Sequence, residues 1–448
     1  MMRALEFLVA LVIVAVLGLV AAVVMPSGGH VERAQVIGKD MRQVYDVFDN
    51  FRRFPDYAEL RSSDPQVQFK LSGKAFGPGS EIDWSSTDKK IGDGTLSIAS
   101  AEPSFDKIDS NTKSATIVWN LDNPWRGGDK HFTLNLQRQG NRGQLTNVIM
   151  AYDVSYGWNL VDRFSKLYIH GDPDSFIQTS LNNLQNVMAG VPNVDYSKLV
   201  PSIAQTQAAP VLLVSTSFAR KDGEDGLDDA TKKAVGQIQA EAKKLGVNIT
   251  GPRVLFDTDY GDQTVTFDIA MPIDSSSLTV AGQSVQLVAP TAPVLSPSSA
   301  PASGSTAANP AAAATLSPGS KDQYGRVALD GNVLATLAFG GSALKGTWNG
   351  GYNGVQPTRD ALKAYALTHG YKFDDVVNRF YDILVTPEVK DAGGNITTYA
   401  KYDVYLPLSG APQQTPEQEA GIKPPSADGD APASASTAAP AAGASAGK

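Results

Sequence analysis

The sequence predicts an α+β protein: one apolar helix of membrane-spanning length, then two domains built on antiparallel sheets. Three observations predict it. Residues 7–25, FLVALVIVAVLGLVAAVVM, hold no charged or strongly polar side chain. Between 67 and 150, short runs of alternating polarity are separated by turn residues and followed by a long amphipathic helix. Between 211 and 408, the order strand, helix, strand, strand occurs twice.

The N-terminal run is long enough to cross about 30 Å of hydrocarbon as a helix. A removable signal peptide is the competing reading. Against it, the run exceeds the roughly 7–15 residues of a signal core, and no A-x-A site precedes the Pro-Ser-Gly-Gly spacer at 26–29. Arg3 and the free amino terminus favour an inside N-terminus, while Arg33, Lys39 and Arg42 follow close behind the span. The expectation is a single-pass protein of a bacterial inner membrane with its soluble domains in the periplasm.

The chain has 448 residues and no cysteine, which excludes disulfides, thiol catalysis and cysteine-bound zinc. A net charge of −8 and the lack of a basic cluster argue against nucleic-acid binding. Composition divides the chain into an anchor and spacer (1–30), a first domain (31–191), a linker (192–209), a second domain (210–409) and a tail (410–448). The tail and an insertion at 290–322 are rich in Ala, Pro and Ser without an apolar face, so neither is expected to order.

In the first domain, the strand-like run Val31 to Ile37 precedes a helix with apolar residues at Val44, Phe48 and Phe51, which closes on Phe54-Pro55-Asp56-Tyr57. Strand runs follow at 67–71, 80–84, 94–98, 114–119, 131–136 and 144–150. A closing helix from Asp174 to Met188 places Ile177, Leu181, Leu184 and Met188 in one stripe. The strand–helix opening, with Phe76-Gly-Pro-Gly-Ser-Glu-Ile-Asp-Trp84 and Lys90-Ile-Gly-Asp-Gly-Thr-Leu96, resembles the START-like superfamily, also described as polyketide cyclase or SRPBCC proteins. The resemblance implies a helix-grip fold: a curved antiparallel sheet around a long C-terminal helix, with an apolar small molecule or lipid between them. Trp84, Trp119, Trp125 and Trp158 are then candidates for lining that cavity, opposite the stripe Ile177, Leu181, Leu184 and Met188. The competing reading makes these large aromatics ordinary core and rim residues.

The repeat in the second domain runs first through Val211–Ser217, a helix at 227–245, and strands at 251–259 and 265–273. Its second copy runs through Val333–Phe339, a helix at 358–368, and strands at 376–387 and 400–408. With Gly251-Pro252, the closing Met271-Pro272-Ile273 and Leu406-Pro407-Leu408, and Tyr365, Gly370 and Tyr371, the duplicated βαββ unit is similar to the GyrI-like effector-binding domain. That family usually carries a Glu two residues before the tyrosine of the penultimate strand. Here Arg379 stands there, ahead of Tyr381, so the resemblance implies no cation site and leaves hydrolysis without its carboxylate. Arg379 is instead a candidate to hold a carboxylate or phosphate, or is simply exposed.

No nucleophile elbow, paired-histidine metal site or phosphate loop occurs in the sequence, and no cofactor is expected. His131 and His170 lack metal-ligand spacing, and Glu81 and Asp83 read as solvated strand residues. The resulting expectation is a membrane-anchored, non-catalytic binding protein for a hydrophobic small molecule or lipid, with a second domain for sensing or partner contact. A cyclase-like enzyme acting in the first cavity and a structural envelope protein with filled cavities are the alternatives.

Overall fold

The computed structural model describes residues 2–141, 143–199, 201–292 and 316–410. The expected tail from 411 onward and residues 293–315 of the expected insertion lie outside them. The architecture is α+β, with two large antiparallel sheets and one apolar N-terminal helix, α1 (Met2–Val24).

The first sheet has seven strands: β1 (Gly28–Ile37), β2 (Gln68–Gly73), β3 (Ser80–Ser85), β4 (Gly94–Glu102), β5 (Ser114–Asp122), β6 (Gly128–Gln139) and β7 (Leu145–Ser155). Its order is β1-β7-β6-β5-β4-β3-β2, a meander from β2 to β7 closed by β1 along its whole length. Between β1 and β2 lie α2 (Met41–Phe48), α3 (Phe54–Tyr57) and α4 (Glu59–Ser63). Asp40 caps α2, its carboxylate accepting the Arg42 backbone N–H at 2.8 Å. After β7 come α5 (Leu160–Arg163), a 3-10 turn (Phe164–Tyr168) and α6 (Asp172–Ala189). Strand alternation sends Ile117, Trp119, Phe132, Leu134, Met150 and Tyr152 to the face that α2, α3 and α6 cover.

The second sheet has nine strands: β8 (Ser202–Thr206), β9 (Pro210–Ala219), β10 (Val254–Tyr260), β11 (Thr264–Pro272), β14 (Val327–Ala328), β15 (Val333–Leu337), β16 (Gly341–Asn349), β17 (Tyr381–Thr386) and β20 (Lys401–Pro407). Two small hairpins stand apart, β12 (Ser277–Val280) with β13 (Gln283–Gln286), and β18 (Val389–Lys390) with β19 (Ile396–Thr398). One helix face of the sheet carries α7 (Gly223–Leu245) and α8 (Val355–Thr368). The acidic residues Glu224 and Asp225 open α7 and Lys243 and Lys244 close it, as the helix dipole favours, before Gly246 ends it in a left-handed conformation.

Strand order is β14-β15-β9-β11-β10-β17-β20-β16-β8. This corrects the register of the repeat. The second unit is β16-α8-β17-β20, because β20 pairs with both β16 and β17 just as β11 pairs with β9 and β10. The apolar run at 333–339 is an added strand, β15, laid on β9 of the other unit, and β8 is laid likewise on β16. Gly341 and Gly346 weaken the strand signal of β16, the true first strand of the second unit.

That exchange curls the sheet. Four Cα steps from Thr206 to Pro210 reach about 14 Å. A flat sheet would hold β8 and β9 six strand spacings apart, about 29 Å. The links 207–209 and 338–340 therefore meet, with the Ala338 N–H donating to the Ala209 carbonyl at 2.7 Å. Gly340 is required there, since a Cβ would lie 2.4 Å from the Ala208 nitrogen.

Two expectations about connecting segments change. The 192–209 linker contains β8 and the buried Tyr196. Within the expected insertion, Leu316 packs on the sheet beside Val211 and Leu334, and Lys321 bridges to Val327. The two sheets meet through α2 and α8. Arg42 bonds Asp46 at 2.9 Å, Asp46 accepts the Tyr196 hydroxyl at 2.8 Å, and Tyr196 joins Thr368 at 2.9 Å.

Candidate functional site

The face of the second sheet opposite α7 and α8 is the inside of the curl. Ala338 of the crossing link packs on it, and Tyr381 hydrogen-bonds Thr206 across it. Direct cross-strand partners share a face, and the registers Ser215↔Asp268, Phe256↔Asp268, Phe256↔Tyr381, Tyr381↔Tyr405 and Lys345↔Tyr405 lay six side chains in one row. The middle of the row is aromatic. Tyr381 and Tyr405 stack nearly parallel at 4.8 Å, and Phe256 lies 5.6 Å from Tyr381 on the other side. Tyr405 and Phe256 are partly exposed, so the floor is open to solvent. Burial pushes the Tyr381 hydroxyl up to about 12, opposed by its bond to Thr206, and it stays protonated as a neutral hydrogen-bonding group.

The flanks carry matched carboxylates, one from each repeat. Asp268 accepts Ser215 Oγ at 2.6 Å, and Asp403 accepts Thr347 Oγ1 at 2.9 Å. Each faces cations: Arg379 at 2.5 Å and Arg326 at 3.3 Å for Asp268, Lys345 at 2.7 Å for Asp403. Burial would raise the Asp268 carboxyl, but the charges of Arg379 and Arg326 and the Ser215 hydroxyl outweigh it and hold it below its usual range. Arg326 also binds Asp322 at 2.6 Å. Every one of these cations thus has a carboxylate from its own chain. A charged ligand would have to displace such a pair, whereas a neutral flat ring displaces none.

Arg379 and Tyr381 fall in this site, with Arg379 tied to Asp268 and lying 5.8 Å over the Phe256 ring. The other candidates lie elsewhere. Trp119 is fully buried in the first domain, ringed by Phe48, Phe51 and Phe54 at 5.2–6.2 Å, with its indole N–H donating to the Phe48 carbonyl at 3.2 Å. Trp84 is buried across its neighbouring strand, where a Cβ at Gly94 would lie 2.2 Å from its ring. Trp125 meets Tyr152 and Phe176 edge-on. Ile177, Leu181, Leu184 and Met188 are all buried in the same core. Trp158 is separated from this group, 84% exposed beside α1.

Sequence reasoning missed Phe256, Asp268, Tyr405, Lys345 and Ser215. A signal existed: Phe267-Asp268-Ile269 and Tyr402-Asp403-Val404 repeat an acid between two apolar residues at the same point of each unit.

No protein-family model matches the chain, and no curated protein matches it. Among solved structures, XoxI from Bacillus cereus is 13% identical, covering 36% of this chain and 96% of that one at a TM-score of 0.25. A hypothetical protein of Helicobacter pylori is 9% identical, covering 35% and 86% at 0.25. The C-terminal domain of EcmrR is 9% identical, covering 48% and 99% at 0.27. Likenesses of this strength carry no argument about function.

Proposed function

We propose that the chain is a membrane-anchored, non-catalytic binding protein whose second domain, of GyrI-like type, takes up a flat, neutral, apolar small molecule on the concave face of its sheet. The aromatic floor of Phe256, Tyr381 and Tyr405, with its flanking charges already paired, carries this reading. The first domain, of START-like type, is a scaffold in this proposal, because rings fill the space between its sheet and α6. The soluble domains face the periplasm. An active phosphatase reporter fused after Lys448, of a type that folds only in oxidising compartments, is the expected result, and an inactive one reverses the topology.

The binding test is titration of N-phenyl-1-naphthylamine into the full chain in lipid nanodiscs, against empty nanodiscs of the same lipid. Saturable fluorescence gain is expected, weakened about tenfold or more in the Phe256→Ala, Tyr405→Ala double variant, each ring-stacking contact contributing on the order of 1 kcal/mol. Binding that survives the double variant but disappears in Leu181→Trp would move the site to the first domain.

A further inference from the structure

The soluble body touches α1 through α5 and the turn before it. Arg163, itself buried, donates from Nη1 to the carbonyls of Val23 at 3.0 Å and Met25 at 3.3 Å, and from Nε and Nη2 to the Gly157 carbonyl at 2.9 and 2.8 Å. It thereby satisfies carbonyls at the C-terminal end of α1 that no helical partner reaches, and fixes α5 against that end. Its guanidinium also lies 5.1 Å over the Trp158 ring.

Around this clamp the chain leaves large apolar side chains in the open. Trp158 is 84% exposed, Tyr168 75%, Leu167 66% and Val161 64%, with Phe164 at 36%. They fall within one stretch of chain, Trp158 in the turn before α5, Val161 on α5, and Phe164, Leu167 and Tyr168 on the 3-10 turn that follows, which separates them from the single exposed apolar residues that any surface carries. The one carboxylate among them, Asp162, is bonded by Arg126 at 3.1 Å and by Asn159 at 2.7 Å, so it does not present a bare charge. Lys166 and Arg163 make the segment cationic on balance.

We propose that Trp158, Val161, Phe164, Leu167 and Tyr168 insert into the headgroup–acyl boundary of the bilayer that α1 spans, giving the first domain a second membrane contact beside its anchor. The proposal rests on reading α1 as a membrane span. Phe7–Val24 is apolar and exposed except at Gly18 and Ala22, and it ends where Arg163 grips it, so residues 158–168 lie at the depth where the helix leaves the hydrocarbon. Trp and Tyr favour that depth because their rings are apolar and their N–H and O–H groups reach water, and a cation there meets anionic headgroups. One helix alone leaves a domain free to tilt on its stalk. Two contacts fix its orientation to the surface.

The absence of cysteine from the sequence makes the test direct. Full-length chains carrying a single Trp158→Cys, Leu167→Cys, Val14→Cys or Tyr399→Cys substitution are spin-labelled and reconstituted in phosphatidylcholine–phosphatidylglycerol vesicles. Collision with oxygen is then compared with collision with a water-soluble nickel chelate. Labels at 158 and 167 should show an oxygen-to-nickel ratio several-fold above that at 399, with 14 higher still. Labels at 158 and 167 that match 399 while 14 reports hydrocarbon overturn the interfacial contact and leave the anchor standing. A water-exposed label at 14 as well overturns both. All four positions are exposed on the folded chain, so unchanged melting curves are expected as the check on folding.

Discussion

The two sheets treat the same period-2 pattern in opposite ways. In the first, α2, α3 and α6 lie against one face, and rings close the space: Trp119 has aromatic neighbours on three sides and Phe132 stacks on Phe176 at 5.2 Å. In the second, α7 and α8 occupy one face, and the other is folded inward by the exchange of β8 and β15 between the repeats. Its aromatic residues stack on each other rather than into a third element, and Tyr405 stays partly exposed. Aromatic side chains on a strand therefore do not by themselves mark a pocket. What lies over them decides whether they are core or floor.

Three substitutions probe that difference. Trp119→Ala removes the centre of the first core and should cost about 3–5 kcal/mol in denaturant unfolding while leaving probe binding intact. A cost under about 1 kcal/mol would mean the interior is loosely filled and the contrast between the sheets is wrong. Leu181→Trp adds volume to the same core and should cost about 1–3 kcal/mol. An unchanged melt with lost probe binding would instead reveal a cavity under α6. Tyr405→Ala, on the open floor, should cost only about 0.5–1.5 kcal/mol through the lost ring pair, yet weaken the probe measurably. Equal loss of stability and binding would make Tyr405 a core residue like Trp119.

The smallest effect lies at the junction of the sheets and appears only with pH. Burial, with Asp46 alongside, pushes the Asp49 carboxyl well above its usual range, and burial raises Asp46 to about 6 against the pull of Arg42 and Tyr196. The folded chain holds these protons more tightly than the unfolded one. Their contribution is complete below the ordinary carboxyl pKa of about 3.9 and is lost as pH rises through about 6 and beyond. Asp49→Asn cannot ionise, so its thermal midpoint should fall less than that of the parent between pH 4 and 8. Parallel pH curves would show that Asp49 does not hold its proton in the folded state.

Much of the fold was legible because it is written locally. The alternation in 114–119 and 131–136 marks β5 and β6, and the spacing of Ile177, Leu181, Leu184 and Met188 marks the buried side of α6. The candidate site was legible only at Arg379 and Tyr381. Their partners Asp268, Phe256 and Tyr405 come from strands up to 125 positions away by number, and the pairing of β10 with β17 that joins the two repeats leaves no local trace. The repeat is visible in the sequence but the first strand of its second copy is not, because the apolar run at 333–337 carries a stronger strand pattern than β16, which glycine interrupts.

By itself the sequence determined the apolar N-terminal helix, the α+β alternation and the duplication, since each depends on the periodicity of neighbouring residues along one segment. The tertiary structure alone decided that β8 and β15 change places, that the second sheet curls, that Arg379 meets Asp268 rather than solvent, and that Trp158 stands beside α1 and not over the first core. Those outcomes depend on which strand edges and surfaces meet across the fold, and side-chain period carries no information about what a face will meet.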